Sequence, residues 1–92
     1  MIRSFRHRGL KRLLEQGDPS RISAAHRIKI ERILGYLNQA RSPADMNFPG
    51  LRLHPLSGGL KGYWSVTVSA NWRIIFRFEG SHVVDVDLID YH

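Results

Sequence analysis

The 92-residue chain contains no cysteine, which excludes a disulfide framework and any thiolate metal site and fits a reducing compartment. No apolar run approaches the ~20 residues of a membrane span, and the N-terminal stretch lacks the apolar core of a signal peptide. A cytoplasmic protein with no membrane partner is expected. Repeats and low-complexity segments are missing as well. The loop Ser57-Gly58-Gly59-Leu60-Lys61-Gly62 is rich in glycine but lacks the Gly-Lys-Ser/Thr ending and the strand–loop–helix context of a P-loop, which argues against nucleotide binding there. Acidic residues are scarce, eight against fourteen Lys and Arg, for a net charge of +6.

What is present suits a compact fold. A hydrophobic content of 42% is too high for a disordered tail, and the length predicts one domain spanning residues 1–92. The positive charge is uneven. Residues 1–41 hold ten Lys or Arg against three Asp or Glu, whereas residues 42–92 hold four against five. Such a basic half suits an anionic partner such as nucleic acid, and it equally suits a solvated helical surface.

Patterning gives the elements. Residues 1–5 read as a short strand, with Ile2 and Ser4 on one face and Arg3 and Phe5 on the other. Residues 7–16 read as a helix with Leu10, Leu13 and Leu14 on one stripe, His7 on its surface and Gly17 as the residue that ends it. A longer helix over residues 21–40 carries the stripe Ile30, Ile33, Leu34 and Leu37, extended upstream by Ile22, opposite a basic face of Arg27, Lys29 and Arg32. Residues 41–50 form an irregular connection, and residues 51–54 a short strand ended by Pro55.

Three alternating segments follow. The first points Trp64, Val66 and Val68 inward and Tyr63, Ser65 and Thr67 outward. The second points Trp72, Ile74, Phe76 and Phe78 inward, against Arg73, Ile75 and Arg77. The third sets Val84, Val86 and Leu88 against Asp85, Asp87 and Ile89. Consecutive hairpins make an antiparallel meander, and the helices must cover its apolar face. The predicted architecture is α+β, with an N-terminal strand and two helices packed on one face of an antiparallel sheet. The other face then displays Tyr63, Thr67, Arg73, Arg77 and Tyr91. Cations for phosphate beside aromatics for stacking suit single-stranded RNA.

The densest chemistry lies at Asp90-Tyr91-His92, with a second histidine, His54, at the end of another strand. RNA cleavage without a metal needs a base for the 2′-hydroxyl proton, an acid for the leaving 5′ oxygen, and positive charge where the phosphorane gathers electron density. His54 and His92 suit the proton roles, and either can be the base. Arg73 suits the phosphate, Asp90 can orient a histidine, and Tyr91 can stack on a base or align the hydroxyl. Each residue also has an ordinary reading: His54 as a strand end before Pro55, Arg73 and Arg77 as solubility charges, Tyr63 as a half-buried sheet aromatic.

The motifs His54-Pro55-Leu56-Ser57-Gly58, Gly62-Tyr63-Trp64-Ser65-Val66, Asn71-Trp72-Arg73-Ile74 and the final Asp90-Tyr91-His92 together resemble the HigB toxins of the RelE/ParE superfamily, along the whole chain. The resemblance implies a RelE-like (microbial RNase-like) fold and a cofactor-free, ribosome-dependent endoribonuclease cleaving translated mRNA. It implies a helix-turn-helix antitoxin (HigA-like) as partner, the ribosome and mRNA as targets, and operator DNA reached only through the antitoxin. Active-site positions carry over to His54, Arg73, Asp90, Tyr91 and His92. One position departs: a lysine expected after His-Pro-Leu is Ser57 here, with Lys61 the next cation on that loop. Arg77 and Tyr63 complete the expected RNA-binding face. Two other readings are a ParE-like gyrase inhibitor, which would not need His54 and His92, and a non-catalytic RNA-binding module using the basic face alone.

Overall fold

The computed structural model describes residues 1–91; His92, expected in the site, lies outside them. Two helices, α1 (Arg8–Gln16) and α2 (Arg27–Gln39), precede four strands, β1 (His54–Pro55), β2 (Trp64–Ser69), β3 (Trp72–Glu79) and β4 (His82–Asp90). The strands form one antiparallel sheet in the order β1-β2-β3-β4, and the helices pack on one face of it.

α1 begins where His7 takes an extended backbone and its Nδ1 accepts the Leu10 N–H at 3.1 Å. His7 is therefore a helix cap and not the plain surface histidine the sequence suggests. Gly17 ends the helix at φ 68, with its N–H donated to the Leu13 carbonyl, as expected. α2 begins at Arg27, six residues later than its stripe implies. The Asp18 carboxylate accepts the Ser20 N–H at 3.0 Å, the Ile22 N–H goes to Pro19 and the His26 N–H to Ser23. Local side-chain bonding of this kind competes with helix, so these residues form turns that still deliver Ile22 to the core. Gly9 lets the turn close on α1, since a Cβ there would lie 2.9 Å from Cβ of Arg21.

The N-terminal residues run parallel to β4 at its outer edge. Arg3 donates to the Val83 carbonyl at 2.8 Å, Arg6 to Val86 at 2.8 Å, and Val86 to Ser4 at 3.2 Å. Only isolated bridges form, Ile2 with Val83 and Phe5 with Val86, where a continuous strand was expected. The interruption is a β-bulge. The β3–β4 register slips between Ile75 and Arg77, Asp85 takes φ 54, and its N–H donates to Ser4 Oγ at 2.8 Å. The extra residue shifts the alternation of β4. Val83, instead of Val84, joins Val86 and Leu88 toward the helices.

The main core packs Val66, Ile74, Phe76, Val83 and Val86 against Leu10, Ile30, Ile33, Leu34 and Leu37. Each fully buried side chain of this size contributes roughly 1.5–3 kcal/mol. Met46, in the connection read as irregular, sits in a 3-10 turn and is completely buried. Trp72 points to the helix side but only reaches its rim, 37% exposed, with its ring 6.4 Å from that of His26. The opposite face is less open than the alternation suggests. The segment after β1 folds over it, and Leu56, Tyr63 and Ile75 form a second buried cluster joined by Leu60 and Ile89. Ser65, expected in solvent, is 1% exposed beneath this layer. Among the described residues no helix is long and apolar enough to cross a membrane.

Candidate functional site

The face away from the helices is ordered in three rows by the strand register. His54 of β1 stands opposite Ser65 of β2, which stands opposite Ile75 of β3 and then Asp87 of β4. On one side of this row lie Thr67, Arg73 and Ile89, and beyond them Tyr91. On the other side lie Tyr63, Arg77 and Val84.

The Arg73 end holds two of the expected residues in contact. The Arg73 guanidinium lies 5.9 Å from the centre of the Tyr91 ring, and its Nη1 donates to the Ala70 carbonyl at 3.1 Å. Ala70, at φ 48, belongs to the tight turn between β2 and β3. The same turn fixes Tyr91, whose N–H donates to the Asn71 carbonyl at 2.7 Å. The β2–β3 turn therefore positions both the cation and the aromatic ring. Tyr91 remains 40% exposed, and Arg73 is half-buried. A carbonyl carries no formal charge, so the Ala70 contact does not neutralise the guanidinium.

His54 is exposed on the same face, two strands over and two residues along from Arg73. Strand spacing puts their Cα atoms about 12 Å apart, a span that an imidazole and a guanidinium can bridge through one phosphate. Asp90 stands opposite Trp72 in the register, so it belongs to the helix-side face while its neighbours Ile89 and Tyr91 belong to the Arg73 face. Lys61 is exposed on the folded-over loop, directly after Leu60, which anchors that loop on Ile75 and Tyr63. Ser57 opens the 3-10 turn of that loop and is exposed.

The other end is a closed polar network. Arg77 Nε and Nη2 donate to Asp85 Oδ2 at 3.1 and 2.7 Å, and Glu79 lies 3.5 Å from Nη2. The guanidinium also lies 5.8 Å from the Tyr63 ring, whose hydroxyl accepts from Arg6 Nη1 at 3.3 Å. The hydrogen bonds it donates to Asp85 hold Arg77 above its ordinary pKa, and Tyr63 does the same for Arg6, helped by the charge of Asp87. Tyr63 is nearly buried at 9% exposure. Sequence reasoning placed Arg77 and Tyr63 on this face correctly and missed both Arg6 and Asp85. The alternation set Asp85 on the face away from the valines and named no partner for it. Its ion pair depends on the bulge, which has no local signal beyond an aspartate between valines.

Known proteins similar to this chain match it along nearly its whole length. The family model for the RelE-like toxin of type II toxin–antitoxin system HigB matches residues 3–92. The endoribonuclease HigB of Proteus vulgaris is 41% identical over 92 residues, covering 100% of each chain.

Proposed function

The chain belongs to the HigB-like family of RelE-like toxins of type II toxin–antitoxin systems, and from that premise we propose that it is an endoribonuclease working on the Arg73 end of the open sheet face. The substrate is mRNA under translation on the ribosome. The observation that carries the reading is the Arg73–Tyr91 pair, held by one turn on the same face as His54. A fixed guanidinium beside an exposed ring offers a phosphate cradle and a stacking platform in one place.

The chemistry follows from these groups. One of His54 and His92 removes the 2′-hydroxyl proton and the other protonates the leaving 5′ oxygen, while Arg73 stabilises charge on the non-bridging oxygens. Tyr91 aligns the nucleotide, and Asp90 orients the terminal histidine. Lys61 supplies the loop cation that Ser57 does not. The reaction uses protons and a fixed cation, with no cofactor. A type II system pairs the toxin with a protein antitoxin. Here the partner is a helix-turn-helix protein of HigA type, through which alone the toxin reaches operator DNA. The setting is the cytoplasm.

The test is induction in a bacterial host followed by mapping of mRNA 5′ ends on translated and untranslated copies of one transcript. New ends are expected in the translated copy only, and absent with His92→Gln. Equal cleavage of both copies would remove the ribosome from the reading. A well-folded, fully toxic His92→Gln would remove the terminal histidine.

A further inference from the structure

The oxygen of the Ser65 side chain is buried and has no hydrogen-bond partner among the described residues. Ser65 is also the residue paired directly with His54 across β1 and β2, on the same face of the sheet. A buried hydroxyl left without a partner costs stability, and such groups call for a specific explanation. In an antiparallel pair the two Cβ atoms are about 5 Å apart, so a rotation of the His54 ring brings one of its nitrogens within hydrogen-bonding distance of Ser65 Oγ.

His54 needs such a partner. It lies on an edge strand of two residues, the other being Pro55, and its side chain is exposed, so the strand alone does not settle which nitrogen faces the substrate. We propose that Ser65 is a positioning residue for His54: with RNA bound, Ser65 Oγ accepts the hydrogen bond of His54 Nδ1–H and leaves Nε2 facing the reacting oxygen. This rests on the endoribonuclease reading given above. A hydroxyl oxygen suits either proton role. Nδ1 keeps its proton in the neutral ring that acts as base and in the imidazolium that acts as acid, so the same contact serves both. The unmet hydroxyl of the free protein is the cost of holding the acceptor ready beside His54.

The experiment uses Ser65→Ala, Ser65→Thr and His54→Gln, singly and combined, with single-turnover cleavage on programmed ribosomes and thermal melting. Ser65→Ala is expected to melt higher than wild type, because it deletes an unpaired buried hydroxyl, while the cleavage step slows about tenfold with little change in apparent KM. Ser65→Thr restores the hydroxyl and with it most of the rate. In the His54→Gln background, Ser65→Ala costs nothing further, because its effect passes through the imidazole. Three results overturn the proposal: an unchanged rate in Ser65→Ala, an equal loss in the His54→Gln background, or a lower melting temperature, which would mean that the hydroxyl already has a partner. If His54→Gln itself cleaves like wild type, the assignment of His54 falls first, and that outcome is distinct from a failure of Ser65 alone.

Discussion

Two arginines on β3, four residues apart and on the same face, have nearly the same aromatic neighbour and different roles. Arg77 stands 5.8 Å from Tyr63 and Arg73 stands 5.9 Å from Tyr91. Around Arg77 a carboxylate accepts twice, a second carboxylate lies close, and the tyrosine is nearly buried with its hydroxyl engaged by Arg6. Around Arg73 the acceptor is a main-chain carbonyl of a tight turn, and the tyrosine is exposed. The first pair fastens the sheet to its N-terminal edge. The second is fixed in place while its charge and ring face outward. An arginine over a tyrosine is therefore not a site by itself; the charge of the acceptor decides which kind it is.

That contrast breaks most visibly at Arg73. Arg73→Ala is expected to lower single-turnover cleavage by about 10²-fold or more, the usual loss for one transition-state charge contact, while melting moves little. A variant that unfolds would make Arg73 structural and erase the distinction. Arg77→Ala should do the reverse. Its removal leaves Asp85 on the bulge without its guanidinium and lowers the midpoint of a denaturant titration, with cleavage per folded molecule retained. Tyr91→Leu sharpens the picture at a smaller scale. Loss of the exposed ring beside Arg73 removes a platform on which a base can stack, so RNA affinity should drop several-fold while Tyr91→Phe binds like wild type. The smallest effect belongs to the loop. Lys61→Ala should slow cleavage more than Arg27→Ala on α2, and Ser57→Lys should raise it, both within about 0.5 kcal/mol of wild-type stability. If Lys61→Ala cleaves normally and Ser57→Lys gains nothing, the loop makes no phosphate contact.

The helix stripes and the β2 and β3 alternation were legible in the sequence because each depends on local periodicity that tertiary packing then reinforces. Ile30, Ile33, Leu34 and Leu37 are buried together as their spacing predicts, and Ile74 and Phe76 face them. Arg73 and Tyr91 emerged on the expected face for the same reason. What was not legible came from contacts between distant residues. The bulge at Asp85 depends on Ser4, 81 positions away, and on Arg77 across the hairpin. It moved Val83 inward and neutralised a cation that alternation alone leaves exposed. Ile75 and Ser65 look like solvent-facing positions until the segment carrying Leu56 and Leu60 folds over them. The late start of α2 was written in Asp18-Pro19-Ser20, whose turn-forming side chains outweigh an apolar spacing that continues upstream.

The pairing of residues 1–6 with β4 has a consequence for how the molecule is made. These residues lie far along the chain from their partners Val83, Asp85 and Val86, with 81 positions between Ser4 and Asp85. Closing a loop of that length costs about 4 kcal/mol in chain entropy beyond a constant, and no shorter pairing substitutes for it. The helices and the β2–β3 hairpin can associate earlier, but the edge of the sheet, the Arg77–Asp85 pair and the Arg73–Tyr91 contact all wait for β4. The helices and the central hairpin therefore collapse around short-range contacts before the open face is complete. The sheet edge is the slow, nonlocal step of folding.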